Sequence, residues 1–144
     1  MSGSPEAGPI ALSDLIAGVN RRFDVAVESR LKAAGVRIEH YRVLESLMRR
    51  DGQSMGELAP TVFVDLPTLT KIVDRMVASG VVYRAPDPKD RRRVLVFLSE
   101  RGRAQFADLR PAVDSERRAA TGGLSGVETD QLLGLLAGIL NRPH

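Results

Sequence analysis

The chain has 144 residues, of which 43% are hydrophobic, so it is long enough and apolar enough to bury the core of one domain. It contains no cysteine and only two histidines, which excludes disulfides and thiol nucleophiles and leaves little material for a metal site. The net charge of +3 indicates nothing about partners until the charged residues are located along the chain.

The first nine residues are small, polar and contain Pro and Gly, which predicts a disordered tail over residues 1–9. They lack the basic start and apolar run of a secretion signal. No stretch reaches the ~18 consecutive apolar residues of a membrane span. We therefore expect a cytoplasmic protein without a membrane partner.

Two amphipathic helices are predicted next. Apolar residues recur at every third or fourth position from residue 10 to residue 34, and Gly35 is well placed to end this first helix. The same spacing predicts a second helix over residues 38–50, which stops before the turn pair Asp51–Gly52.

The centre of the chain carries the signals of a helix–turn–helix. Ser54 and Glu57 have the spacing of a capping box, in which each side chain satisfies a free backbone N–H of the other residue. Asp65 can cap the following helix, with Pro67 tolerated in its first turn and Gly80 placed to end it.

Two β-branched runs follow, at residues 81–83 and 94–98, and the polar stretch between them predicts a β-hairpin with a long tip. Ser99 can cap a further helix, and Ser125 with Glu128 repeats the capping-box spacing before a last one. The predicted fold class is mainly α with a small β-hairpin: a winged helix–turn–helix core flanked by long N- and C-terminal helices.

The terminal helices have more apolar residues than one small core requires. They either pack on their own domain or intertwine with a second copy, and the second interpretation is favoured. The predicted segments are a tail at 1–9, an N-terminal dimerisation helix at 10–35, a winged helix–turn–helix DNA-binding region at 36–102 and C-terminal dimerisation helices at 103–144.

The positive charge is concentrated in the hairpin. Residues 84–103 hold seven basic and three acidic side chains, a difference of +4, so the rest of the chain sums to −1. Guanidinium groups at a hairpin tip suit the narrow minor groove of DNA, where the negative potential is enhanced. A solvated loop is the alternative, but the neighbouring helix–turn–helix favours DNA.

Polar residues on the second helix of that unit indicate the same partner. Thr68, Lys71 and Arg75 are spaced three and four apart, so they share one helix face. Hydroxyl and cationic side chains suit base edges and phosphates in the major groove, although an ordinary wetted face looks the same. The predicted DNA-binding residues are Pro67, Thr68, Thr70, Lys71, Arg75, Lys89, Arg91, Arg92 and Arg93.

These residues resemble the winged helix–turn–helix of the MarR family of transcriptional regulators. The resemblance rests on residues 57–59, on residues 68–76 and, most specifically, on the wing motif at 87–92 followed by Leu-Ser-Glu-Arg-Gly at 98–102. The flanking helices fit in number and order, so the resemblance covers nearly the whole chain. Departures from the family pattern occur at Arg37, Pro60 and Phe63.

The resemblance implies a homodimer, held by its terminal helices, that binds a pseudo-palindromic operator in double-stranded DNA and usually represses transcription. It implies a recognition helix at residues 65–75 and places Arg92 in the minor groove. It also implies that Asp90 orients the wing, through an ion pair with Arg75 or Arg92.

A small aromatic or anionic effector that releases DNA is a further implication of the resemblance. The absence of cysteine excludes the thiol-sensing branch of the family, which leaves non-covalent binding as the switch. The weak candidates for contacts with the effector are Phe23, His40, Tyr41 and Met48. They are weak because aromatic, His and Met side chains on helices more often belong to the core or the surface than to a ligand site.

Two alternatives belong to other classes of function. An enzyme is disfavoured, because no triad order, phosphate-binding glycine loop or metal-ligand spacing occurs, and neither a cofactor nor a metal is expected. A winged-helix interaction module without specific DNA binding would place the basic tip against an acidic protein. A preference for one duplex over bulk DNA separates this module from a regulator.

Overall fold

The structure is a computed structural model that describes residues 8–143, so most of the predicted tail at 1–9 lies outside the described residues. Six helices and one hairpin follow one another in the predicted order, and the predicted fold class is confirmed. The elements are α1 (Leu12–Ala33), α2 (Ile38–Arg49), α3 (Met55–Val62), α4 (Leu66–Ala78), β1 (Val82–Pro86), β2 (Val94–Leu98), α5 (Glu100–Ala120) and α6 (Gly126–Leu140).

Side-chain caps fix where four of these helices begin. The oxygens of Ser54, Asp65, Ser99 and Ser125 each accept a hydrogen bond from the backbone N–H three residues later, which satisfies a donor that the helix itself leaves free. Helix α2 begins at Arg37 without a side-chain cap, as the departure from the family pattern suggested.

The two predicted capping boxes differ. At the start of α6 the box is complete, because Glu128 also accepts the Ser125 N–H at 3.0 Å. At the start of α3 the prediction was half wrong. Ser54 caps the Glu57 N–H, but the Glu57 carboxylate accepts the Ser54 hydroxyl, at 3.1 Å, instead of the Ser54 backbone N–H.

The core lies between α2, α3, α4, α5 and the hairpin. Helix α1 adds only the buried residues of its C-terminal half, Val27 and Leu31. Tyr41 is completely buried and its ring stacks on Phe106 of α5 with the ring centroids 5.5 Å apart. This stacking joins α2 to α5 within the core.

The hairpin is antiparallel, with Val82 opposite Leu98 and Pro86 opposite Val94, and β1 extends three residues beyond its predicted end. Gln53 pairs with the hairpin as a one-residue bridge. Its backbone exchanges two hydrogen bonds with Val96 of β2, of 3.1 and 2.7 Å. The buried amide of Gln53 also donates to the carbonyl of Arg50 at 2.7 Å, which ties β2 to the end of α2.

The first half of α1 and the whole of α6 have exposed apolar faces. No residue of α6 is buried in the single chain. Within residues 8–143, no helix is long and apolar enough to cross a membrane. The side chains on these faces that are at least 41% exposed include Leu12, Leu15, Ile16, Val19, Val127, Leu132, Leu133, Leu135, Ile139 and Leu140.

Candidate nucleic-acid interface

Helix α4 presents a polar face to solvent because its apolar residues recur at helical spacing. Leu69, Val73 and Met76 are buried, while Thr68, Thr70, Lys71 and Arg75 are exposed, as are the first-turn residues up to Pro67. The Thr70 hydroxyl donates to the Leu66 carbonyl of its own helix at 2.9 Å.

Asp65 holds the start of α4. Its carboxylate accepts the Thr68 N–H at 2.8 Å, and hydrogen bonds from Thr68 lower the pKa of the Asp65 carboxyl below its usual range. The cap is therefore ionised at neutral pH, and a negative charge at a helix N-terminus is favourable.

The turn before α4 is made without glycine. Phe63 adopts the left-handed region, with φ 63° and ψ 38°, and its side chain is 80% exposed. The guanidinium of Arg42 lies 5.7 Å from the centre of the Phe63 ring, and Arg42 is itself held by Asp24 of α1 at 2.8 Å. A cation–π contact and an ion pair thus connect the turn to α1.

The tip of the wing is closed by its own backbone. The Asp87 N–H donates to the Arg93 carbonyl at 2.8 Å, and the Arg93 N–H donates to the Asp90 carbonyl at 2.9 Å. The side chains of Asp87 and Asp90 accept the N–H groups of Lys89 and Arg92, at 2.9 and 3.1 Å. Such Asx turns shape a tight loop.

The ion pair expected between Asp90 and Arg75 or Arg92 is absent from the described part of the chain, so this prediction was wrong. The Asp90 carboxylate instead accepts the backbone N–H of Arg92, two residues ahead, as is common for Asp in tight loops. The wing is paired with α4 elsewhere, through Arg84 of β1 and Asp74, at 2.6 Å.

The basic residues of the wing fall into two groups. Lys89, Arg91 and Arg92 are exposed, and their side chains have no hydrogen-bond or ion-pair partner within residues 8–143. Arg93, which the sequence placed in the same set, instead pairs with Glu57 of α3. Sequence spacing gave no signal for this contact, because the two residues are 36 positions apart.

The four weak ligand candidates do not form one pocket. His40 lines a cleft of about 470 Å³ between the start of α2 and the polar face of α4, together with Arg37, Lys71 and Arg75. Its Nε2 lies 2.8 Å from the side-chain oxygen of Gln105. No group of three or more His, Asp or Glu side chains in the described chain could hold a metal ion.

The other three candidates lie elsewhere. Tyr41 is completely buried in the core. Successive residues of a helix point about 100° apart, so Tyr41 does not face the cleft that its neighbour His40 lines. Met48 lines a smaller cleft between α2 and α5, of about 250 Å³. Phe23 lies in the apolar groove that α1 forms with α6.

Comparison with known proteins agrees with this architecture. The pattern that defines the MarR family matches residues 37–94. The HTH-type transcriptional regulator TtmR of Methylorubrum extorquens (strain PA1) is 34% identical over 79% of this chain and 56% of its own length. The chain thus spans little more than half of this curated relative.

Two solved structures are similar over nearly their full length. Apo wild-type MarR from E. coli is 32% identical with a TM-score of 0.79, over 92% of this chain and 98% of that one. A cysteine-to-serine mutant of MarR from E. coli complexed with operator DNA is 32% identical with a TM-score of 0.78, over 90% of this chain and 93% of that one. Curated relatives of the chain are named as HTH-type transcriptional regulators and not as enzymes.

Proposed function

The chain belongs to the MarR family of transcriptional regulators, and from that premise we propose that it is a repressor that binds double-stranded operator DNA as a homodimer. One observation carries the proposal: the polar face of α4 and the wing tip form two exposed cationic surfaces on the same winged unit. Because its target is DNA, we infer that it acts in the cytoplasm.

In this proposal α4 enters the major groove. The first turn, with Pro67 and Thr68, lies toward the base edges, while Lys71 and Arg75 reach bases or phosphates. Thr70 has already donated its proton to the helix and so acts as an acceptor. The MarR complex with operator DNA supports this placement by analogy of fold.

The wing tip would lie along the backbone and in the adjacent minor groove. Arg92 is the residue assigned to the groove, with Lys89 and Arg91 on phosphates. Their side chains need not break any contact with other parts of residues 8–143 to reach DNA. Asp90 keeps its wing-orienting role in the proposal, acting through the Arg92 N–H rather than through an ion pair.

The dimer would be built from the terminal segments, residues 10–35 and 103–144, around the winged region at 36–102. Two copies related by a twofold axis read a pseudo-palindrome when their recognition helices lie ~34 Å apart on one face of the duplex. A bound dimer then covers promoter DNA and blocks transcription sterically.

An anionic effector is best accommodated in the cleft beside His40. Its charged lining residues are three cations, Arg37, Lys71 and Arg75, and one carboxylate, Glu39, so the cations are in excess. A small carboxylate held there would occupy cations that α4 needs for DNA. An effector that binds the DNA-free form better shifts the equilibrium toward release.

The proposal is tested by a mobility-shift titration with the duplex that wild-type protein selects from random DNA. R92A should bind at least about fivefold more weakly, the lower range for loss of a specific arginine contact. The matched control is R21A, which removes the same charge from an exposed position on α1. Equal affinity of the two variants would overturn the wing assignment.

Two further lanes of the same titration test the other parts of the proposal. Failure of the wild-type protein to prefer any duplex over bulk DNA would favour the interaction-module alternative.

Benzoate, as a simple aromatic anion, should weaken operator binding by wild-type protein. Unchanged operator binding at millimolar benzoate would count against the cleft as the effector site.

A further inference from the structure

The carboxylate of Glu57 is the meeting point of three side chains from different parts of the winged unit. Its Oε2 accepts a hydrogen bond from Arg50, at the end of α2, at 2.5 Å. Its Oε1 accepts the Ser54 hydroxyl and also the guanidinium of Arg93, at the base of the wing tip. One carboxylate on α3 therefore joins α2 and the wing.

The chain contains an internal comparison for this arrangement. Ser125 and Glu128 have the same spacing at the start of α6, and there the carboxylate turns back to its own N-cap N–H. At Ser54 the same motif has a carboxylate that faces outward to two arginines. Glu57 therefore makes contacts that capping α3 does not require.

Arg93 is also the residue that closes the wing tip. Its carbonyl accepts the Asp87 N–H at 2.8 Å and its own N–H donates to the Asp90 carbonyl at 2.9 Å. The Arg93 backbone therefore closes the tip, while the Arg93 side chain anchors this residue to α3. Lys89, Arg91 and Arg92, which lie between these hydrogen bonds, are placed by that anchor.

We propose that Glu57 and Arg93 are positioning residues: their ion pair sets the wing against the recognition unit, and Arg93 itself does not contact DNA. The inference rests on the proposed function for its effect on DNA binding, but the anchor itself is a property of the DNA-free protein. For Arg93 to bind a phosphate, it would have to leave Glu57, whose negative charge would then face the DNA.

The DNA-free test is amide hydrogen exchange, measured by NMR, of the Asp87 and Arg93 N–H groups. E57Q and R93Q should each speed exchange of both amides about two- to fivefold, the range for loss of a partly exposed ion pair. E128Q, the same substitution in the other capping motif, should leave the wing amides unchanged. Unchanged wing amides in E57Q would overturn the anchor.

The DNA-binding test relies on the sign of the E57Q effect. Removal of a negative charge from a DNA-binding surface should strengthen binding if only electrostatics matter. A positioning role predicts the opposite, a loss of about two- to fivefold. The control is E100Q, which removes the same charge from a different site. Glu100 is exposed, and its side chain has no partner within residues 8–143.

Two measurements separate positioning from direct contact for Arg93. The double variant E57Q/R93Q should lose less affinity than the sum of the two single losses, because both changes break the ion pair between Glu57 and Arg93. R93Q should keep the wild-type slope of log K against log salt. Loss of a phosphate contact, as expected for R91Q, makes this negative slope shallower by about 0.9.

Additive effects, a reduced slope for R93Q, or tighter binding by E57Q would each overturn the positioning role. The melting temperature of each variant checks that it is folded. A wild-type protein without duplex preference would overturn the proposed function, while the exchange rates would still confirm or overturn the anchor.

Discussion

The Tyr41 hydroxyl is the one buried side-chain polar atom that lacks a hydrogen-bond partner among residues 8–143. The ring is held by Phe106 on one side, and the Arg117 guanidinium lies 5.8 Å from its centre. The Arg117 guanidinium donates to both oxygens of Glu45, at 2.6 and 3.0 Å, and makes no hydrogen bond to the Tyr41 hydroxyl. Tyr41 thus contributes packing rather than polar contacts.

Burial, with the nearby Glu45 carboxylate, raises the pKa of Tyr41 to about 12. We expect Y41F to be as stable as wild type or more so at neutral pH, because an unsatisfied buried hydroxyl costs about 1–3 kcal/mol. Above pH 10 the unfolded wild-type chain releases the proton that the folded chain retains. The free energy of unfolding of the wild-type protein should therefore fall by roughly 1 kcal/mol per pH unit between pH 10 and 12. Y41F should lack this contribution to the pH dependence.

Urea denaturation of both proteins from pH 7 to 11 measures this difference. The control is Y83F, which changes the only other tyrosine, half exposed on the wing. A lower stability of Y41F at pH 7 would indicate that the hydroxyl has a partner in solution, and an unchanged gap at pH 11 would contradict the raised pKa.

At this scale the sequence predicted positions better than partners. The exposed face of α4 follows from the spacing of Leu69, Val73 and Met76, which is a local pattern. The partner of Arg93 depends on where α3 and the wing meet, and no local pattern contains that information. The Asp90 ion pair failed for a different reason, since its carboxylate accepts a backbone N–H two residues ahead in an Asx turn.

At the scale of elements, local signals determined most of the architecture. Caps and terminal glycines placed the helix ends, because they satisfy backbone groups wherever the helix lies. The bridge at Gln53 was missed, since a one-residue pairing has no periodicity. Phe63 shows that the turn geometry survives without glycine, with the left-handed conformation adopted by a bulky residue.

Gly102 fixes how closely α5 approaches the hairpin. A Cβ atom at this position would lie 2.0 Å from the Val81 carbonyl oxygen, which belongs to the backbone and cannot move aside. We expect G102A to lower the free energy of unfolding by about 1–3 kcal/mol, the usual range for overpacking. Thermal denaturation followed by circular dichroism measures the loss.

The matched control is G18A, because nothing lies within 4 Å of a Cβ at that helical glycine. Removing glycine from the interior of α1 should stabilise the chain by about 0.5–1 kcal/mol. The same substitution thus has opposite signs at two sites. Equal effects would show that helix propensity, and not the contact with Val81, decides the result at Gly102.

For the whole molecule, the question is what covers the apolar terminal faces. Leu12, Leu15, Ile16, Val19 and Phe23 lie along one stripe of α1, and this stripe forms one side of a groove with Leu132 and Leu136 of α6. A contiguous apolar surface of this kind is typical of an interface. The terminal segments are not purely external, however, because Val27 of α1 and Phe106 of α5 are buried in the core.

Two valines on α1 test the homodimer in a matched pair. Val19 is 51% exposed and lies in the apolar groove, whereas Val25 is 52% exposed and lies about 120° around the helix. A twofold dimer places two copies of residue 19 in the interface, and each buried glutamate costs about 1.4 kcal/mol or more. V19E should therefore raise the dimer dissociation constant at least about 100-fold, while V25E should leave it unchanged.

Sedimentation velocity across a range of concentrations measures that constant directly. Wild type and V25E should sediment as dimers, with melting temperatures that rise with concentration, and V19E should sediment as a monomer at the same concentrations. Because the proposed dimer presents two copies of α4 ~34 Å apart, the monomer should also lose operator affinity, although its recognition surface is intact. Dimeric V19E, or dissociation of both variants alike, would place the subunit interface elsewhere on the molecule.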